Sequence, residues 1–298
     1  MTASSLGFHC ERPDFTVRSV PDGDEFLVRR ECLAQGSEVF RDMFHCCDAS
    51  TGERVLELQE SAPSLSLLFQ LLHNTPEPYV PPDADKPVHV EAHDYVHIQQ
   101  RVPAHAIPFP LLPTLFVLAD KYACAPAVMQ ACFSHLAAYA STHPLRVYGM
   151  AVGMGHAAIA AKASKFLLHP PLTSYTTDEI KSIPTAEAYH RLVLLHEHRI
   201  KRLREILIDE PIFPQRYGEC SKHTARTKRH WEARKGLVIP RVAAATDVAA
   251  EMTLDVNQLA GCETCFKAWV AATAMLGYKC SKVPRRIDKL PTSVTQPI

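Results

Sequence analysis

The spacing of apolar residues changes period twice within the first seventy positions. From Asp14 the stretch DFTVRS alternates, with Phe15 and Val17 on one side and Thr16 and Arg18 on the other, the two-residue period of a half-buried strand. VPDGDE supplies a turn at Pro21, Asp22 and Gly23, and EFLVRR resumes the alternation with Phe26 and Val28, so this stretch predicts a hairpin. Leu33, Val39, Phe40, Met43 and Phe44 then fall at helical spacing, with Gly36 placed to end one short helix and Ser37 to cap the next. RVLELQE predicts a third strand, with Val55 and either Leu56 or Leu58 inward, and SAPSLSLLFQLLHN a helix with Leu65, Leu68, Phe69 and Leu72 on one stripe. The pattern is that of an α/β fold of the α+β kind: a small sheet covered by helices.

Further along, PTLFVLADKYACAPAVMQACFSHLAAYAST predicts two helices. Leu115, Leu118, Ala119 and Tyr122 line the first, and Val128, Cys132, Phe133 and Leu136 the second, with Pro126 in its opening turn. Asp120 and Lys121 read as a solvated charge pair at a helix end. Beyond residue 142 only helical patterns follow. Thr177 with Asp178 and Glu179 marks one helix start, and Thr185 with Ala188 another. In the long helix that follows, Leu192, Leu195, Ile200, Leu203 and Leu207 are expected inward, and Arg191, Glu197, Arg199, Lys201 and Arg204 outward. Gly149, Gly153 and Ala157 are small enough to let helices approach closely.

Composition narrows the classes. Lys+Arg equals Asp+Glu at 32 each, so no whole-molecule field draws the chain to nucleic acid or an anionic membrane. The richest apolar run, LLPTLFVLADKYACAPAVM, is cut by Asp120, Lys121 and Pro126, and no membrane span is expected. The start, MTASSLGFHCERPDF, has no basic and apolar leader pattern. The 10 cysteines are scattered, and without an export signal they read as reduced thiols in an intracellular protein of the cytoplasm or nucleus.

At this point the residues carry a resemblance. The succession of Asp14, the turn glycine, Phe26, the basic pair Arg29–Arg30, Leu33, Ser37, Phe40 and the later LADKY at 118–122 is similar to a BTB/POZ domain, in particular to the fungal BTB proteins that continue into a helical C-terminal region. The resemblance implies a tail over 1–13, a BTB/POZ-like domain over 14–141 with a Pro/His-rich insert at 75–108, and a helical, BACK-like region over 142–210. A Cys/His-containing helical segment over 211–284 and a tail over 285–298 complete the division. The resemblance further implies a non-enzymatic protein-interaction module, dimeric or partner-binding, with a cullin ubiquitin-ligase scaffold as one expected partner. Asp14 and Arg30 fall where the family carries a charged pair near its dimer groove; a fold-stabilising surface pair is the alternative.

Four motifs bear on chemistry. His89, His93 and His97 lie four residues apart in the insert and share a face on either a helix or a strand, so their spacing alone selects no metal site. GMGHAA at 153–158 matches the dinucleotide pattern G-x-G-x-x-A, with Asp178 beyond it, but that pattern requires a strand before it. Near the C-terminus, Cys220-x-x-His223 and Cys262-x-x-Cys265 are two chelating pairs about forty residues apart, enough for one closed Cys₃His zinc site of structural type. The alternative is cysteines packed as small hydrophobes, with the Ala-rich VAAATDVAAEMTLDVNQLAG between the pairs expected to be helical. The basic stretch Lys222, Arg226, Lys228, Arg229, Arg234 and Lys235, with His230 and Trp231, raises nucleic-acid binding as the alternative function. No G-x-S-x-G elbow, P-loop or HExxH occurs in the chain, and no enzyme class is suggested.

Overall fold

The computed structural model describes residues 8–47, 55–78, 106–213, 220–254, 259 and 261–291. The chain divides into two compact units, the first ending at Tyr139 and the second running from Ala140 onward.

In the first unit, β1 (Phe15–Ser19) pairs antiparallel with β2 (Glu25–Val28) and parallel with β3 (Val55–Leu58), giving the strand order β2-β1-β3. The crossover from β2 to β3 is made by α1 (Arg30–Gly36) and α2 (Glu38–Cys47), and α3 (Ala62–His73) follows. Phe15, Val17, Val28 and Leu58 are buried while Thr16 and Glu57 sit on the outer face; the alternation settles Leu58 as inward and turns Val55, expected inward, to the exposed side. Gly36 and Ser37 divide the first two helices as their chemistry dictates: the Ser37 hydroxyl accepts the Phe40 N–H at 3.2 Å and donates to the Tyr122 carbonyl. Gly36 is also needed sterically, since a Cβ there would stand 2.7 Å from Leu72 Cδ2. α4 (Leu112–Lys121) and α5 (Pro126–Ala138) complete the unit.

Two helix N-termini here, those of α1 and α3, are closed by three residues distant in sequence. The Asp14 carboxylate accepts the Arg30 N–H at 2.8 Å, and Asp22 from the hairpin turn accepts the Ala62 N–H at 2.5 Å. His73 donates from Nδ1 to the Phe69 carbonyl at 2.9 Å and accepts the Arg29 N–H on Nε2 at 3.0 Å, which requires the neutral ring. Each such cap is worth about 1 kcal/mol. Residues 8–13 are not a loose tail: Cys10 is buried and the Phe8 ring lies 4.9 Å from His73 and 5.7 Å from Phe69.

The second unit is helical throughout its described residues: α6 (Pro144–Gly153), α7 (Ala157–Ser164), α8 (Thr177–Ile180), α9 (Ala186–Asp209), α10 (Thr224–Val238), α11 (Val248–Glu251) and α12 (Glu263–Ser281). Gly149 makes the expected close approach, a Cβ there falling 2.0 Å from the Ser182 carbonyl oxygen; Gly153 and Ala157 are exposed. α8 starts at Thr177 with Asp178 and Glu179 in its first turn, as expected, capped by Thr176 in a reciprocal box with Glu179, and Thr185 caps α9 through the Ala188 N–H.

Arg199 departs from its expected place. It is 4% exposed and donates to the carbonyls of Ala244 at 2.7 Å, Val283 at 2.9 Å and Pro284 at 3.0 Å. Helical geometry explains this, because 199 lies four residues after Leu195 and four before Leu203, on the inward stripe. The expected C-terminal tail is also partly fixed: Ile287 is buried and its N–H donates to Ser164 Oγ at 3.1 Å.

Candidate metal centre

The two chelating pairs converge. Cys220 Sγ, a ring nitrogen of His223, Cys262 Sγ and Cys265 Sγ all lie within 4.8 Å of one another. Cys220 begins a tight turn in which its carbonyl accepts the N–H groups of His223 at 3.1 Å and Thr224 at 3.0 Å, and that turn delivers His223 to the N-cap of α10. Gly261, at φ +62°, makes the left-handed bend that brings Cys262 to the N-cap of α12, and Cys265 follows in its first turn. Both helices therefore point their positive ends at the thiols, which favours thiolate.

The distances suit a tetrahedral ion. With Zn–S near 2.3 Å and Zn–N near 2.05 Å, a tetrahedron has S···N edges of about 3.5 Å and S···S edges of about 3.8 Å. Cys220 Sγ to His223 Nδ1 is 3.5 Å. Electrostatics point the same way at the exposed end of the cluster. The Cys265 backbone N–H, and then His223, draw the Cys262 thiol below its usual range, toward the thiolate a metal would take. Burial pushes Cys265 up instead, as expected for a thiol 3% exposed. Such a thiol ionises when a cation takes the proton's place. Three soft sulfur donors with one imidazole are the ligand set of a closed structural site, and the cluster is able to hold a metal ion.

Behind the cluster lies the core shared by α9, α10 and α12. Trp231 and Trp269 meet edge to face at 5.0 Å, Phe213 stacks on Trp231 at 5.0 Å, and Trp269 Nε1 donates to the Met252 carbonyl at 2.7 Å. Cys265 belongs to this core, with Leu203, Ile206 and Leu207 from α9. Thr227 ties the first turn of α10 to the His223 carbonyl at 3.0 Å. The segment between the pairs is not the continuous helix expected from its alanines. Within the Ala-rich stretch 242–261, only Val248–Glu251 is α-helical among the described residues, because one helix would turn Val242 about 120° away from Val248, yet both are buried in the same core.

The other sequence candidates are placed as follows. His89, His93 and His97 lie outside the described residues. GMGHAA joins α6 to α7 with no strand before it, so the dinucleotide pattern lacks its context. Trp231 is 3% exposed and is not available to a ligand. Asp14 and Arg30 do meet, through the carboxylate and the Arg30 amide, and the guanidinium carbon lies 4.6 Å from the Phe15 ring centre and 5.3 Å from that of Phe44. Lys121 ends α4 and is exposed, as expected, but its partner is Glu60 rather than Asp120, and the other Glu60 oxygen accepts the Tyr122 hydroxyl at 2.5 Å. Burial would raise the Glu60 carboxyl, but the hydrogen bonds from Lys121 and Tyr122 outweigh it and hold the group below its usual range. Nothing near Glu60 in sequence signals this; its partners lie sixty residues away.

Comparison with protein-family models, with curated proteins and with solved structures gives no match for this chain. Among the described residues no helix is long and apolar enough to cross a membrane.

Proposed function

We propose that this chain is a non-enzymatic protein-interaction molecule, with a BTB/POZ-like first unit that dimerises or binds a protein partner and a helical second unit locked by a structural zinc ion. The observation that carries the first half is the parallel return of β3 onto β1 after a hairpin and two helices, the same hairpin, helix, strand, helix order on which the resemblance rests. Asp14 and Arg30, where the family's charged pair falls, stand together at the start of α1, and Leu27 and Val55 lie exposed on the outer sheet face on either side of Thr16. Dimerisation through this unit, and use as an adaptor on a cullin scaffold inside the cell, are the partner chemistry such a module offers. Sedimentation equilibrium on the full chain is expected to show a dimer. A monomer at every concentration, together with no association with a purified cullin, would sink this half.

The second half is carried by the convergence of Cys220, His223, Cys262 and Cys265. Four protein donors leave no open coordination position, so zinc would join the N-termini of α10 and α12 and supply no reactive water. Elemental analysis of the purified chain should return one zinc per molecule, and substitution of any one donor should abolish it.

A further inference from the structure

The cations of α10 and its lead-in fall into two groups. Arg234 Nε donates to the Glu251 carbonyl at 2.8 Å, and Lys235 pairs with Glu232 at 3.3 Å. Lys222, Arg226, Lys228 and Arg229 are different: all four are exposed, and among the described residues none has a carboxylate within ion-pair distance. Arg226 directs its Nε–H only at His230 Nε2, at 3.4 Å. Arg226 and Arg229, three residues apart, share one side of α10, and Lys222 stands in the turn just before the helix. Ala225, Ala233 and Gly236 lie exposed along the same side, which His230 and the exposed Leu237 share. The chain as a whole carries no net charge, so this positive face is a local feature.

Three observations select its occupant. Arg226 stands in the first turn of α10, where the helix dipole opposes a cation, so the placement costs helix stability that a bound anion would restore. Guanidinium groups match phosphate oxygens in a two-pronged geometry that a lone carboxylate-binding lysine would not need. The aromatic residue of the stretch, Trp231, is sealed in the core, so unpaired bases find nothing to stack on. A duplex presents phosphates and keeps its bases stacked.

We infer that the face formed by Lys222, Arg226 and Arg229, with Lys228 at its flank, docks on the phosphate backbone of double-stranded nucleic acid without reading its sequence. This goes beyond the interaction-module reading and does not depend on which ion the neighbouring thiols hold.

The test is fluorescence anisotropy of the full chain with a labelled mixed-sequence DNA duplex over a salt series. Three or four phosphate contacts predict a log–log salt slope of about −2.7 to −3.6, hence an affinity loss of about 40- to 150-fold between roughly 50 and 200 mM salt. The double variant Arg226→Gln/Arg229→Gln should weaken binding and flatten that slope by about 2, with zinc content unchanged and melting temperature unchanged or slightly raised. Salt-insensitive binding, a double variant that binds like the parent, or displacement of the duplex by poly-glutamate at equal charge would overturn the inference. So would loss of zinc together with DNA affinity in the variant, because the cations would then serve the thiolates. A chain found to lack zinc yet retaining salt-sensitive duplex binding leaves the inference standing and removes only the zinc assignment.

Discussion

Replacing Cys265 with serine tests the metal centre where it is most demanding. Cys265 is buried in the α9–α10–α12 core and is one of two donors on the far side of the chain segment that the ion would close. Joining His223 to Cys262 closes a loop of about 40 residues, and chain entropy values such a cross-link at about 4 kcal/mol. Mass action gives the same figure independently: an ion held at a thousand times its dissociation constant stabilises the folded state by about 4 kcal/mol. For a unit near 150 residues each kcal/mol moves the melting temperature by roughly 2–4 °C, so Cys265→Ser should lower it by about 8–16 °C. A chelator added to the parent should produce the same shift, and added to the variant should produce none. Cys46→Ser, at an exposed thiol in the other unit, serves as the control and should leave both zinc content and melting temperature unchanged. Differential scanning calorimetry with metal analysis of each sample reads every part of this. If the parent keeps its melting temperature in chelator, or if Cys265→Ser still carries one zinc per chain, the four side chains are not a metal site.

Other substitutions test the packing. Arg199→Met strands three buried carbonyls and should cost at least about 3 kcal/mol in urea unfolding; an ordinary surface effect below about 0.5 kcal/mol would refute its inward role. Gly149→Ala places a Cβ 2.0 Å from the Ser182 oxygen and should cost about 2 kcal/mol or more. Gly153→Ala, with its nearest atom 3.9 Å away, should stay within about 0.5 kcal/mol of the parent by the same assay. Burial holds the His73 pKa below its free value; a group depressed in the folded state gives its full stability above the unfolded pKa and loses it as pH falls through the folded one. Urea midpoints should therefore drop as pH is lowered below about 6.5, with His135 adding in the same direction because burial lowers it too. His73→Gln should reduce that dependence, and an unchanged profile would show that the ring is not held neutral.

What could be read in advance follows from which forces are local. Strand alternation, the Gly36–Ser37 break and the Thr185 cap depend on neighbours a few residues away, and each stands where its chemistry requires. The two chelating pairs were legible for the same reason, since the donors within each pair are three residues apart. Their meeting was not, because it depends on Trp231, Trp269 and the aliphatic residues of α9 pulling α10 and α12 into one core. The caps supplied by Asp14, Asp22 and His73, and the Glu60 partners, were illegible for the same cause: each joins residues separated by sixteen positions or more. Arg199 is a different kind of miss. Its helical phase placed it inward, and its charge was allowed to overrule that phase.

The need for a metal clamp at this place follows from α10 itself. Only Thr227, Trp231 and Val238 of its 15 residues are buried, so the helix has little apolar surface with which to hold its position. Short helices of such composition are marginal without tertiary anchors. Trp231 anchors the middle, stacked on Phe213 and edge to face with Trp269, but the first turn carries Arg226 against the helix dipole and has no acidic residue to offset it. Ligation through Cys220 and His223 would fix that turn directly, and the net negative charge of three thiolates on one divalent ion would oppose the repulsion among the nearby cations. With its inner side held by one tryptophan, and its start by an ion if these donors bind one, α10 could leave nearly its whole outer surface to charged and small side chains. A helix anchored only by an apolar stripe would need more of that surface for its own core.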